Sequence, residues 1–361
     1  ALVLLLACPT VSRAQAMSLA NGAYHVCVIV QGGHVKCFGQ GSVGQLGSGN
    51  TDNIGDAAGE MGSDLPTVDL GTGRTAKKLF AGGYHTCAIL DNDKVKCWGS
   101  NTKGQLGIGS TSYAFKRGDN ANEMGDDLPY LDFGSSATVK TMCVGGTHTC
   151  AVMSDGKLMC WGDNAYAAVG IDSATPEHQK TPVESAIGSS NTATAVACGN
   201  DYTCVLLTSG QVKCFGRNQY GQLGADYSTT VLRGDGAGET ASTLTMVKLP
   251  AGRTAKSVAA GSQHSCAVLD DNTVFCWGRN QYGQLGQGDE ITYGTSSSTD
   301  DSGNDAKRMS ELSLVQFGTG ITPLLDFIGH TPPMALGFAT TCILRNDFVF
   351  KCYGQASYGT L

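Results

Sequence analysis

Cysteine and histidine are the residues here whose spacing invites chemistry. Residues 87–107 read CAILDNDKVKCWGSNTKGQLG, with two cysteines ten positions apart and His85 two residues before the first. Such a set could ligate zinc, shuttle electrons as a dithiol, or clamp the chain as a disulfide. The phrase recurs from Cys27, Cys87, Cys150, Cys204, Cys266 and Cys342, paired at the same distance with Cys37, Cys97, Cys160, Cys214, Cys276 and Cys352.

The zinc reading draws on His25, His85, His148 and His264, each two residues before a first cysteine. Three ligands per copy result, but no fourth recurs, and Tyr202 and Thr340 replace the histidine in copies that keep both cysteines. A ten-residue gap also matches no short C-x-x-C knuckle. The disulfide reading fits the local pattern better. Two strand-like runs, Thr86–Leu90 and Lys94–Trp98, flank Asp91, Asn92 and Asp93, which favour a turn. Folding about Asn92 sets Cys87 against Cys97 at a separation that a disulfide accepts. The histidines are then expected as buried hydrogen-bonding groups, with no metal and no cofactor.

Twelve of the fifteen cysteines are thus accounted for. Cys143 and Cys198 lie in the strands that precede the third and fourth hairpins, one repeat position out of step, and a bridge between them is expected. Two free buried thiols are the alternative. Cys8 remains for an intermolecular bond.

Starts of successive copies differ by 60, 63, 54, 62 and 76 residues, the period of one small supersecondary unit. Before each hairpin comes a run such as KKLFAGGYHTC (77–87), and before that a strand-like LPTVDLG (65–71) or STLTMVKLP (242–250). Four strand signals per unit predict an all-β chain of four-stranded blades repeated radially. The 361 residues include 50 glycines and only 15% charged residues, and carry a net charge of −7 without a run of Lys and Arg. This balance argues against nucleic acid as a partner.

The phrase G-x-x-H-T-C-A-x-L…V-K-C-W-G-x-N-x-x-G-Q-L-G resembles the repeat of the regulator of chromosome condensation family, over residues 15–361. The resemblance implies a β-propeller, six-bladed by the count of hairpins, with the family's usual seven blades as the alternative. The family's nuclear member is a GTPase exchange factor that binds nucleosomes. This acidic chain with paired cysteines departs from it, so exchange activity is the least favoured function.

Six oxidised pairs place the protein in an oxidising compartment, secreted or at the cell surface. ALVLLLA with Ala14, Gln15 and Ala16 resembles an export signal, and Leu5–Cys8 loosely resembles a lipoprotein cleavage site. No stretch suits a transmembrane segment. Residues 1–14 are expected either as a signal remnant or as a strand, with 15–361 forming a single propeller domain. On the repeat, residues 1–10 fall where LPTVDLG falls elsewhere, while the last unit breaks off at YGTL (358–361). That strand could close the ring in cis, or join the last blade of a neighbour and propagate a filament.

Catalysis finds no support, since neither G-x-S-x-G nor H-E-x-x-H occurs. Trp98, Trp161, Trp277, Phe38, Phe215 and Tyr353 share the place after the second cysteine and read as packing between blades. Arg117–Gly118–Asp119 and Arg233–Gly234–Asp235 spell an adhesion tripeptide, but turns favour the same residues. The loops with Asp52, Asp56, Glu60 and Asp64, and with Asp119, Glu123, Asp126 and Asp127, offer oxygen ligands for calcium, against a solvated acidic face. TSSST (295–299) could carry an O-linked glycan, and the insertions 225–242 and 287–311 are expected contact loops. The expected function is a non-enzymatic secreted scaffold for protein–protein interaction, self-assembling by strand donation. A soluble inhibitor or binder of a secreted enzyme is the rival.

Overall fold

The structure, a computed structural model, describes residues 18–109, 116–171, 177–226, 243–300, 302–317, 320, 322–324 and 334–355. The segment 1–14, its strand, Cys8 and the tripeptide at Arg233 lie outside the described residues.

Each repeat folds into one small sheet, antiparallel throughout except for the parallel outer pair of blade 5. Leu19–Asn21, His25–Ile29 and Val35–Gly39 form blade 1, and Ala76–Ala81, His85–Leu90 and Val95–Gly99 form blade 2. Blade 3 comprises Val139–Val144, His148–Met153, Leu158–Asp163 and His178–Glu184, and blade 4 comprises Ala193–Cys198, Tyr202–Leu207 and Val212–Gly216. Blade 5 joins Ala255–Ala260, His264–Leu269 and Val274–Gly278 to the short outer strands Thr292–Tyr293 and Ala306–Lys307. Met334–Leu336, Thr340–Leu344 and Phe350–Gly354 make blade 6.

The hairpin turn needs one residue in the left-handed region. Gly33, Gly156 and Gly210 supply it without a Cβ, and Asp93 and Asn272 are the polar types that tolerate it. Folding there places each first cysteine directly opposite its partner. All six hairpin pairs are bonded at Cα separations of 4.0 to 4.1 Å, and Cys143 is bonded to Cys198 at 5.4 Å.

The expected fourth strand is reduced in most blades. LPTVDLG lies on the outer edge of blade 1, where Val68 N–H donates to Val35 O, and Leu131, Ser185, Val247 and Val315 make the same bond to Val95, Leu158, Val212 and Val274. Only blade 3, through His178–Glu184, extends this contact into a full fourth strand, with a register shift between Gln179 and Val183. Pro66, Pro129 and Pro250 border the reduced segments in blades 1, 2 and 4, and a proline cannot donate to a ladder.

The hairpin strands of blades 2 to 5 are buried on both faces, which explains their continuous rather than alternating apolar runs. In blade 2, Ala88, Leu90 and Trp98 pack backward onto Cys27, Ile29, Val35 and Cys37 of blade 1. Cys87, Ile89, Val95 and Cys97 pack forward onto Met142, Ala151 and Trp161 of blade 3.

Candidate functional site

The repeated side chains are spent on the joints between blades. Thr86 of blade 2 donates its hydroxyl to Gln45 O of blade 1 at 3.0 Å, so it accepts from His25 Nε2 of blade 1 at 2.8 Å. The same exchange recurs with Thr149, Gln105 O and His85, and with Thr341, Gln284 O and His264. At the joint of blades 3 and 4, Thr203 donates to Ala168 O and meets His148 at 2.9 Å. Tyr202 takes the histidine's place in blade 4 and accepts from Ser265 of blade 5.

This lattice explains G-x-x-H and G-Q-L-G. The glycine three before His25, His148 and His264 lies under the imidazole: a Cβ on Gly145 would come within 2.4 Å of His148 Cε1. Trp98, Trp161 and Trp277 donate their indole N–H to the same carbonyls, Gln45 O, Gln105 O and Gln222 O. The last glycine of G-Q-L-G sits against that ring, with 2.8 Å between a Cβ on Gly107 and Trp161 Nε1.

The Nε2 of each lattice histidine is engaged with a threonine hydroxyl. Burial lowers His25 and His148 to about 4 and His85 and His264 to about 3, so all four are neutral at pH 7. Their Nδ1 atoms are buried without a hydrogen-bond partner in the protein, and those of His25, His148 and His264 lie against glycine.

Near the axis a backbone relay links the blades. Ala23 N–H donates to Gly82 O, Gly83 to Gly145 O, Gly146 to Gly199 O, Asn200 to Ser262 O and Ser262 to Gly337 O. Among the described residues the relay and the lattice both end at blade 6. Blade 6 carries Thr340 where a histidine would reach onward, and blade 1 carries Val26 where a threonine would receive it.

The six most exposed large apolar side chains among the described residues all lie on these two blades: Leu19, Tyr24, Phe338, Phe348, Val349 and Phe350. Blade 6's forward face holds Cys342, Leu344, Phe350 and Cys352, and blade 1's backward face holds Val26, Val28 and Phe38, all exposed or half-buried. These are the two halves of a blade joint. Phe348 adds strain: its φ is 62° at the turn position that Gly, Asp and Asn fill in the other blades, and it is 65% exposed.

The remaining expected sites are absorbed locally. Arg117 is paired through its backbone to Gly99, and Gly118 and Asp119 pack onto the Gly44 turn, so this tripeptide is not a projecting loop. Glu60 accepts from the N–H groups of Gly55, Asp56 and Ala57, and Glu123 accepts from those of Gly118 and Asn120, so both tie their own turns. Asp126 holds Thr72 through both backbone and hydroxyl. In TSSST, Thr295 is buried while Ser296, Ser298 and Thr299 are exposed. The 287–311 insertion is ordered around buried Asp300, which accepts from Thr292, Ser302 and Asn304. The 225–242 insertion lies almost wholly outside the described residues.

Two models of the Regulator of chromosome condensation (RCC1) repeat match the chain, one over 76–105, 139–167, 193–222 and 255–284, the other over 155–206, 209–268 and 271–298. The Ultraviolet-B receptor UVR8 of Arabidopsis thaliana is 28% identical over 281 residues, 77% of this chain and 56% of that protein. An X-linked retinitis pigmentosa GTPase regulator homolog of Caenorhabditis elegans is 27% identical over 60% of this chain and 14% of its own length. The chain therefore spans little more than half of UVR8 and a small part of the other. Among solved structures, human WBSCR16 superposes with a TM-score of 0.70 at 17% identity, over 96% of this chain and 79% of that one. Yeast RCC1 (Prp20), solved bound to Kap60, gives 0.66 at 18% identity, over 94% and 70%. Identities this low speak for the fold alone.

Proposed function

Because the chain belongs to the regulator of chromosome condensation repeat family of β-propellers, we propose that it is a non-enzymatic scaffold for protein–protein interaction. Its place is an oxidising compartment, secreted or at the cell surface, and its partner in the sharpest form is a second copy of itself. Seven intrachain disulfides support the compartment, since cytosolic thiols are kept reduced. Among the described residues no helix is long and apolar enough to cross a membrane.

One observation carries self-association: the exposed forward face of blade 6 and backward face of blade 1 match the two sides buried at each internal joint. A copy that sets its blade 1 on another's blade 6 leaves one face free at each end, so contact is heterologous and propagates as a filament. Residues 1–10 would add to this as a strand along the Phe350–Gly354 edge, in cis or from a neighbour. Protein binding has precedent in the yeast propeller solved with Kap60.

Light scattering and electron microscopy of the full chain test the reading. Concentration-dependent polymers are expected, lost when Phe338 and Phe350 are replaced by serine. If polymers form equally well with those replacements, the faces are not the contact. If they survive deletion of residues 1–10, strand donation fails while face packing stands. A monomer at every concentration overturns self-association and leaves the soluble binder of a secreted enzyme.

A further inference from the structure

Blade 3 carries a row of three cysteines. Cys143 stands opposite Cys150, and Cys150 stands opposite Cys160, on three adjacent strands. In the other blades the residue opposite the first hairpin cysteine is Ala20, Phe80, Ala197, Ala259 or Ala335. Cys198 of blade 4 reaches across the joint to Cys143, and the Sγ atoms of Cys143, Cys150 and Cys198 all lie within 4.8 Å of one another. The two disulfides are therefore neighbours, with no more than 4.8 Å between the sulfurs of Cys143, Cys150 and Cys198. They differ in access, because Cys150 and Cys160 are fully buried while Cys143 and Cys198 are half-buried.

We propose that these four cysteines form a thiol–disulfide exchange site, opened by a dithiol reductant at Cys143–Cys198 and continued by attack of Cys143 on the buried Cys150–Cys160 clamp. In the first step one thiolate of the reductant attacks Sγ of Cys198, and the S–S electron pair leaves on Cys143. The reductant's second thiolate then displaces Cys198, so the reductant departs as its own disulfide; Cys198 takes up a proton and Cys143 remains a thiolate. In the second step the Cys143 thiolate attacks Sγ of Cys150, a new S–S bond forms, and the old pair leaves on Cys160, which is protonated.

Strand order favours this direction. Cys143 approaches Cys150 from the side away from Cys160, because the strand of Cys150 lies between theirs, and displacement at sulfur runs in line. The product bond also spans a directly opposed antiparallel pair, a hydrogen-bonded one where the hairpin clamps span non-hydrogen-bonded ones. Exchange exports a reduction made at the half-buried pair into the core of the blade. It removes the covalent tie between blades 3 and 4 and moves blade 3's clamp from its second hairpin to its first.

Disulfide mapping of the intact chain tests the proposal. Wild-type protein is treated with limiting dithiothreitol, quenched in acid so that thiolates stop attacking, unfolded, and labelled with N-ethylmaleimide. Cleavage at lysine puts Cys143 and Cys150 on one peptide, 141–157, and Cys160 on another, 158–180. The expected result is label on Cys198 and Cys160, with 141–157 closed on itself, while Cys37, Cys97, Cys214, Cys276 and Cys352 stay unlabelled. A Cys198→Ser variant should give labelled Cys160 without reductant, and Cys143→Ser should leave the clamp intact. Label confined to Cys143 and Cys198 overturns the proposal, and so does label spread equally over every hairpin. If the untreated chain already has free thiols at all seven pairs, the oxidised-compartment reading fails and takes this site with it. A monomeric chain would leave the site untouched.

Discussion

The joint between blades 1 and 2 and the unpaired faces of blades 6 and 1 are built from the same repeat, yet meet different fates. Blade 1 presents Cys27, Ile29, Val35 and Cys37 forward, and blade 2 covers them with Ala88, Leu90 and Trp98. Blade 6 presents Cys342, Leu344, Phe350 and Cys352 at the matching positions, and Phe350 is 56% exposed where Val35 is 0%. The sheet alone therefore does not bury its own face. Burial comes from the neighbour, as repeat architectures require. The difference teaches what a joint supplies: five joints bury their faces, and among the described residues those of blades 6 and 1 are exposed.

The largest expected effect comes from breaking a joint. Trp161 is fully buried, packs on Leu106 and Gly107 of blade 2 and donates to Gln105 O. Trp161→Ala should cost about 3–5 kcal/mol by loss of buried area, cavity and hydrogen bond. Phe350→Ala on the open face should cost less than about 0.5 kcal/mol in dilute monomer. Denaturant titration of both variants checks the contrast, and equal losses would mean that the blade 6 face is buried after all.

Next in size is the response to acid. The four lattice histidines have folded values of about 3 to 4, below the ordinary 6.5, because burial disfavours their charged form. The unfolded chain takes up protons as pH falls through 6.5 while the folded chain does not. Stability contributed by the neutral rings is thus full above 6.5 and lost between there and about 4. Each histidine accounts for about 1 kcal/mol per pH unit in that window. His148→Gln should lower the slope of unfolding free energy against pH by nearly one proton between pH 5 and 6, and an unchanged slope would show that the ring is solvated.

A smaller loss is expected from the lattice hydroxyl. Thr149→Val keeps the shape but leaves the His85 Nε2–H buried without an acceptor and Gln105 O with one donor fewer, at about 1–3 kcal/mol. Blade 1 already carries this substitution as Val26, on a face with no histidine to satisfy. Val26→Thr should therefore change stability little, and thermal melts of the two variants side by side would expose any hidden partner of blade 1.

Much of this was legible in the sequence because the repeat reports on itself. Six hairpins, their clamps and the aromatic after each second cysteine follow from residue type and spacing, and local hairpins leave few alternatives. What escaped depends on geometry between blades. Nothing in G-Q-L-G announces that its glutamine carbonyl serves the next blade's threonine and tryptophan, since a backbone acceptor has no residue signature. A fourth short strand is expected in every unit, but in blades 1, 2 and 4 the segment meets the hairpin at an isolated contact, as Val68 N–H does at Val35 O, and not along a ladder. Cys198 faces Thr203 rather than Cys204, yet it reaches Cys143, because the approach of two blades sets that distance and alignment of repeats does not. The open faces left one trace, the lost histidine at Thr340 and the lost threonine at Val26.

Phe348 separates stability from association most cleanly. An L-residue held at φ 62° carries strain of about 1–2 kcal/mol, and glycine relieves it at some cost in chain entropy. Phe348→Gly should therefore stabilise the monomer, by about 1 kcal/mol at most, since the side chain is 65% exposed. At the same time it removes a large apolar contact from the face proposed to bind a second copy, so association should weaken. A melting temperature that rises while scattering falls would assign the strained turn to the interface. If both fall together, Phe348 belongs to the blade's own packing, and the unpaired face is smaller than its exposure suggests.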